Sequence, residues 1–214
     1  MLFVGVPAYD GKLQVETVRA LLNEQRVADG LGLEIRVGFL PGCSLITHAR
    51  NQLCADFLDT EAEKLVFLDA DVSFEPGSLI KLASHDVDVV GGAYRYKEAE
   101  ERYPVIWLDK PELHAINGLL EVGSLPGGFL CVSRRALERL REAMPRKYVF
   151  GDRVFDGFFH APIQEGLLFG EDAAFCTDWR AIGGQVWLDP ELSLSHHGGV
   201  NSYPGHIGNW LKGR

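Results

Sequence analysis

Short apolar runs alternate with segments of helical periodicity along the first ninety residues. Leu2 to Val6 reads as a strand, after which Val15, Val18, Leu21 and Leu22 recur at helical spacing until Asp29-Gly30 and Gly32 stop the helix. Leu33 to Leu40 is a second strand. Thr47 is placed to cap a helix carrying Ala49, Leu53, Phe57 and Leu58, and Leu65 to Leu68 is a third strand. Pro76 opens a helix over residues 78–83, and Val87 to Val90 is a fourth strand ending in Gly91-Gly92. This alternation predicts an α/β fold: a mostly parallel central sheet flanked by helices.

Past Gly92 the pattern changes. Val105 to Leu108, Leu119 to Val122 and Gly128 to Val132 read as shorter strands, possible antiparallel members of the sheet. Ser133 caps a helix through Ala143 that Pro145 ends. Between residues 145 and 170 periodicity fades, while Tyr148, Phe150, Phe155, Phe158, Phe159 and Phe169 crowd in, as in a functional loop. Glu171 to Ile182 returns to helix and Val186 to Leu188 to strand. The tail from His196 is polar and glycine-rich. One domain over residues 1–214 is expected, with a first half (1–92) and a second half (93–214) that carries the 145–170 loop.

The stretch Lys64 to Phe74, Lys-Leu-Val-Phe-Leu-Asp-Ala-Asp-Val-Ser-Phe, ends a buried strand in two carboxylates one residue apart. Side chains alternate along an extended chain, so Asp69 and Asp71 emerge on one side where the strand leaves the sheet. That pair suits a hard divalent cation whose shell is completed by phosphate and water. A polar loop after a core strand is the plainer reading. In open α/β sheets ligands bind beyond the carboxyl ends of the strands. Asp10, Asp69, Asp71, Gly91 and Gly92 all follow strands, and Arg50-Asn51 near a helix start suits phosphate. Gly170-Glu171-Asp172 opens a helix, and Ser195-His196-His197-Gly198-Gly199 closes the last strand.

Composition narrows the classes. The net charge is −9 with no Lys/Arg-rich run, which argues against nucleic acid as a partner. Arg134, Arg135, Arg139 and Arg141, interleaved with Glu138 and Glu142, read as a solvated helix face. No apolar run approaches a bilayer span, and the N-terminus lacks the basic flank of a secretory signal, so a protein without an integral membrane segment is expected. The four cysteines show no Cys-x-x-Cys pairing, which points to buried thiols in a reducing cytoplasm.

The order of these features along the chain resembles the GT-A glycosyltransferases that use nucleotide-diphosphate sugars, especially family-2-like members. Val4-Gly5-Val6-Pro7-Ala8-Tyr9 looks like their opening strand and base-binding turn, and Ala49-Arg50-Asn51 like their Ala-Arg-Asn step. Phe67-Leu68-Asp69-Ala70-Asp71 is similar to the Asp-x-Asp signature, Gly170-Glu171-Asp172 to the Glu-Asp pair of the late helix, and His196-His197-Gly198 to the C-terminal His-x-Gly.

The resemblance implies a Rossmann-like GT-A domain that moves a sugar from a UDP- or GDP-sugar to a saccharide or other hydroxyl acceptor, with inversion. It implies Mn²⁺ or Mg²⁺ held by Asp69, Asp71 and His196, with Asp69 acting through ribose or a metal-bound water. Pro7, Ala8, Tyr9, Asp10, Arg50, Asn51, Asp69, Ala70, Gly91 and Gly92 would meet the nucleotide sugar, with Arg50 at the diphosphate. Asp172 would be the base and Glu171 its neighbour. A helix N-terminus and a nearby metal would hold Asp172 ionised with a low pKa. Two departures stand out: the histidines are adjacent, so the ligand position can slip by one, and the tail is short for an acceptor site.

The chemistry agrees, because a departing diphosphate builds negative charge that a divalent ion and a cation stabilise. Leu68-Asp69-Ala70-Asp71-Val72 also fits the nucleophile loop of haloacid-dehalogenase-like phosphatases, although those place it on the first strand. A sugar nucleotidyltransferase would carry a Gly-rich basic loop after the first strand, unlike Pro7 to Lys12. A non-catalytic sugar-binding module is the remaining alternative.

Overall fold

A computed structural model describes residues 1–109 and 114–213. Chain order runs β1 (Leu2–Ala8), α1 (Val15–Leu31), β2 (Ile35–Pro41), α2 (Ile46–Leu58), β3 (Lys64–Leu68), β4 (Val72–Phe74), α3 (Ser78–Ser84) and β5 (Val89–Gly91). Then follow β6 (Ala115–Ile116), β7 (Leu119–Val122), β8 (Phe129–Ser133), α4 (Arg134–Ala143), β9 (Lys147–Phe150) and β10 (Arg153–Asp156). The chain continues with β11 (Ile163–Gln164), β12 (Leu167–Leu168), α5 (Glu171–Ala181), β13 (Val186–Leu188), β14 (Ser193–Gly198), β15 (Asn201–His206) and α6 (Ile207–Lys212).

The main sheet has the order β2-β1-β3-β8-β5-β13-β7-β6 among the described residues. Strands β2, β1, β3, β5, β13 and β6 run one way, while β8 and β7 run against them, so the sheet is mostly parallel. Helices cover both faces, which is why β3 is apolar at successive positions. Leu65 and Phe67 join the core beside Leu53 and Phe57 of α2, and Val66 and Leu68 join the opposite core beside Leu79 and Leu82 of α3. Gly5 of β1 faces Leu53, where a Cβ would come within 3.3 Å of that side chain, so α2 lies close against the sheet.

Four expectations change. In α1 the inward face is not the Val15, Val18 and Leu22 stripe: Val15 is 66% and Leu22 60% exposed, while Thr17, Ala20, Glu24 and Ala28 are buried. Small residues let α1 pack closely, and the Glu24 carboxylate accepts hydrogen bonds from Gly77 N and Ile80 N, satisfying free amides at the start of α3. Thr47 lies inside α2, whose N-cap is Leu45 with no side-chain cap. Residues 105–108 contribute only an isolated bridge, Ile106 to Ser124, and no strand. Ser133 does cap α4, accepting from Ala136 N at 3.0 Å. Arg134 is not a solvated-face residue; it donates to carbonyls of Phe57, Leu58, Thr60 and Ala62 around the end of α2.

The 145–170 segment forms two hairpins, β9–β10 and β11–β12, and most of its aromatics are structural. Phe155, Phe158 and Phe159 are buried, and Phe159 stacks on Phe175 of α5 at 4.7 Å. The tail is ordered as well. Strands β14 and β15 join β4 in a second sheet, β15-β14-β4, whose register sets His196 opposite Val72. No helix among the described residues is long and apolar enough to cross a membrane. Cys54, Cys131 and Cys176 are buried free thiols, and Cys43 is a half-buried one.

Candidate active site

The ends of β1 and β3, the start of α2 and the start of α5 converge on one cavity of about 680 Å³. Pro7, Tyr9, Asp10, Arg50, Asp69, Ala70, Asp71, Glu171 and Asp172 all line it. Four expected nucleotide residues lie outside its lining. Ala8 is buried in β1, and Asn51 clamps the backbone of Phe159 through Nδ2 to O at 2.9 Å and N to Oδ1 at 2.8 Å. Gly91 and Gly92 are close-packing positions, where a Cβ would meet Phe129 O or Leu194 Cδ1 at 2.8 Å.

Arg50 is the tie across the floor. Its guanidinium is 3% exposed and donates Nε to Glu171 Oε1 at 3.1 Å, Nη1 to Gly127 O at 3.1 Å and Nη2 to Asp69 Oδ1 at 3.0 Å. Burial alone would lower its pKa, but Asp69 and Glu171 hold it raised, so it stays a cation. Asp69 is turned to this network. Tyr94 donates to its Oδ2 at 3.2 Å, and burial together with Asp69 pushes the Tyr94 phenol well up, keeping it a donor. Gly127 and Gly128 make room for the knot: a Cβ would fall 2.8 Å from Arg50 Cζ at the first and 2.3 Å from Asp69 Oδ2 at the second.

Asp71 has different company. Lys97 Nζ sits 2.5 Å from its Oδ2, and His196 Nε2 lies 3.6 Å from its Oδ1, too far for a hydrogen bond but close enough to act through charge. Burial would raise the Asp71 carboxyl, yet His196 and Lys97 bring it down to about 2. His196 Nδ1 is 3.0 Å from Arg95 O. A carbonyl only accepts, so Nδ1 is the donor here and Nε2 is the ring nitrogen turned towards Asp71. His197 faces the other way, with Nε2 and Nδ1 each 2.8 Å from Ser73 Oγ and Ser202 Oγ, while its backbone N donates to Asp71 O at 2.8 Å.

These positions bear on a divalent ion. Asp71 and His196 form a two-donor pair, and an imidazole whose other nitrogen is fixed by a carbonyl is a common metal ligand. Asp69, expected as a third ligand, is committed to Arg50 and Tyr94. Among the described residues no three His, Cys, Asp or Glu side chains gather as a metal cluster. The pair therefore fits an ion that draws most of its shell from substrate and water.

Asp172 stands at the first turn of α5, accepting from Ala173 N at 2.7 Å and Gly127 N at 3.2 Å. Its pKa is raised, by burial first and then by Glu171, against the lowering from the backbone amides and Arg50. The expected low pKa at the helix N-terminus is thus corrected: burial and the neighbouring carboxylate outweigh the two amides. Glu171 pairs with Arg50. The sequence reading missed Tyr94, Lys97, Gly127 and Gly128. Only Pro126-Gly127-Gly128 carried a local signal, as a turn-like tripeptide ahead of a strand.

No protein-family model and no curated protein matches the sequence. Solved structures do. A197 from STIV superposes with a TM-score of 0.59 at 19% identity, covering 92% of this chain and 86% of that one. The structure of GalNAc-T7 with UDP, GalNAc and Mn²⁺ superposes at 0.51 with 12% identity, over 92% of this chain and 44% of that one. At these identities the likeness is one of fold. With the sheet order above, it establishes that the chain has the GT-A fold.

Proposed function

We propose that the protein is a glycosyltransferase that moves a sugar from a nucleotide-diphosphate donor, UDP- or GDP-linked, to the hydroxyl of a saccharide or other acceptor, with inversion. One observation carries this reading: two carboxylates in the same cavity are set to opposite tasks. Asp71, beside His196 and held ionised, is suited to a cation. Asp172, its pKa raised, is suited to accept a proton.

Asp71 and His196 would hold Mn²⁺ or Mg²⁺, with imidazole favouring Mn²⁺. When bound, the ion supplies charge stabilisation to the departing diphosphate. The protein's own groups do the rest. Arg50, fixed by Glu171, Asp69 and Gly127 O, keeps the cavity floor rigid and offsets part of the negative charge of the carboxylates that line it. Pro7, Tyr9 and Asp10, at the open end of β1, would take the nucleoside. As the bond from the anomeric carbon to the diphosphate oxygen breaks, its electron pair leaves with the diphosphate. The acceptor oxygen bonds to the same carbon from the opposite face, and its proton passes to an Asp172 carboxylate oxygen. A raised pKa makes Asp172 a stronger base than an ordinary aspartate.

The phosphatase alternative is less favoured. It needs Asp69 as a free nucleophile, whereas both Asp69 oxygens are engaged by Arg50 and Tyr94. Free thiols at all four cysteines agree with a reducing, cytoplasmic setting. The test is a donor screen with Mn²⁺, measuring nucleotide release from UDP-, GDP-, dTDP- and CMP-sugars with simple saccharide acceptors. Turnover of one diphosphate donor class is expected, and no turnover of any donor would end the glycosyltransferase reading.

A further inference from the structure

The side chain that meets Asp71 most closely is a cation that no motif singled out. Lys97 belongs to the irregular chain after β5, and its ammonium reaches across to Asp71 Oδ2 at 2.5 Å. The reach is built into the fold. The lysine stem runs over Gly198 at the end of β14, where a Cβ would come within 3.1 Å of Lys97 Cδ, so a larger residue there would crowd the stem. Two residues earlier on the Lys97 segment, the Arg95 carbonyl holds His196 Nδ1. The same short segment therefore fixes the imidazole and delivers the ammonium. Both Lys97 and Asp71 are about one-third exposed and Asp71 lines the cavity, so the pair is open to solvent at the cavity's edge and can part without unfolding anything.

Resting on the reading of Asp71 and His196 as the cation pair, we infer that Lys97 is a tethered counter-ion. It occupies Asp71 in the free protein, opposes entry of a bare divalent ion, and is drawn off by the diphosphate of the donor. The argument is electrostatic. A divalent ion entering beside Asp71 meets a carboxylate already neutralised by a fixed positive charge and is repelled by that charge at close range. A nucleoside diphosphate changes the balance, because its phosphate oxygens offer Lys97 a new partner while also supplying oxygen ligands to the ion. Metal and nucleotide then load cooperatively, and each raises the other's affinity by the same factor. Loading order would be set by Lys97 as much as by the two ligands.

The experiment is Mn²⁺ titration of the whole protein by electron paramagnetic resonance and calorimetry, with and without UDP or GDP, on the parent and on Lys97→Met, Lys97→Arg and Lys97→Met/Asp71→Asn. Lys97→Met is expected to bind Mn²⁺ alone at least about tenfold more tightly than the parent, and to lose most of the enhancement that nucleotide gives. Lys97→Arg should keep the weak binding of the parent, and the double variant should lose the gain. Unchanged or weaker Mn²⁺ binding by Lys97→Met overturns the inference, as does a gain that survives Asp71→Asn. The metal titration needs no sugar donor, so it stands apart from the donor screen: absence of sugar transfer would sink the proposed reaction without altering what Lys97 does to Mn²⁺.

Discussion

Asp71 and Asp172 line the same cavity and are the same residue type, each at the end of a regular element, yet their carboxyls move in opposite directions. Asp71, where the chain leaves β3, is held at about 2 because His196 and Lys97 face it. Asp172, in the first turn of α5, is raised because it is buried and has Glu171 beside it, while the nearest cation, Arg50, spends its hydrogen bonds on Glu171, Asp69 and Gly127 O. Position in an element therefore does not decide the direction of the shift here. The groups that other segments bring to each carboxylate do.

The strongest way to break the contrast is to remove the residue between its two sides. Arg50→Met should destabilise the protein by about 3–5 kcal/mol, because Asp69 and Glu171 would lose the partner of a buried network. Urea unfolding with an unchanged m-value would register this, and a loss under about 1 kcal/mol would show that the guanidinium is not the tie. Next in size, Asp172→Asn should lower kcat by roughly a hundredfold or more while leaving Mn²⁺ and nucleotide binding intact. Single-turnover kinetics with NMR of the product anomer would check both halves, and a retained configuration would contradict Asp172 as an inverting base.

The cation side is sharpened by its two histidines. His196→Ala should weaken Mn²⁺ binding by about tenfold or more, whereas His197→Ala should leave it nearly unchanged and instead cost about 1–3 kcal/mol of stability, since Ser73 and Ser202 lose their partner. Calorimetry that ranks them the other way would move the ligand by one residue. The smallest effect is in pH dependence. A base must be ionised, so kcat/KM should rise with pH through an apparent pKa above the ordinary aspartate value of about 3.9, with no limb from Asp71, which stays ionised down to about 2. Glu171→Gln removes the neighbouring charge that raises Asp172, so the acidic limb should move down; an upward shift would reverse the assigned cause.

Much of the architecture was legible because it rests on local periods. Apolar runs at Leu2 to Val6 and Leu65 to Leu68, the Ser133 cap and the late helix from Glu171 all formed where their patterns predicted. The same local logic failed in α1. Val15, Val18 and Leu22 satisfy helical spacing, but the inward face was decided by α3, which needs the Glu24 carboxylate at its amides. The tail misled for a related reason: His196 to His206 is polar and glycine-rich in sequence, yet it forms strands because β14 pairs with β4 and β15 pairs with β14.

By itself, then, the sequence determined the α/β alternation and the chain positions of its acids, because two-residue and 3.6-residue periods and strand-end carboxylates are properties of neighbours. Only the tertiary structure decided what those acids do. Arg50 meets Glu171 across 121 residues, Tyr94 meets Asp69 across 25 and Lys97 meets Asp71 across 26. Those contacts, together with burial, set whether each carboxylate stands ready for a cation or for a proton, and no local pattern encodes contacts between segments that only folding brings together.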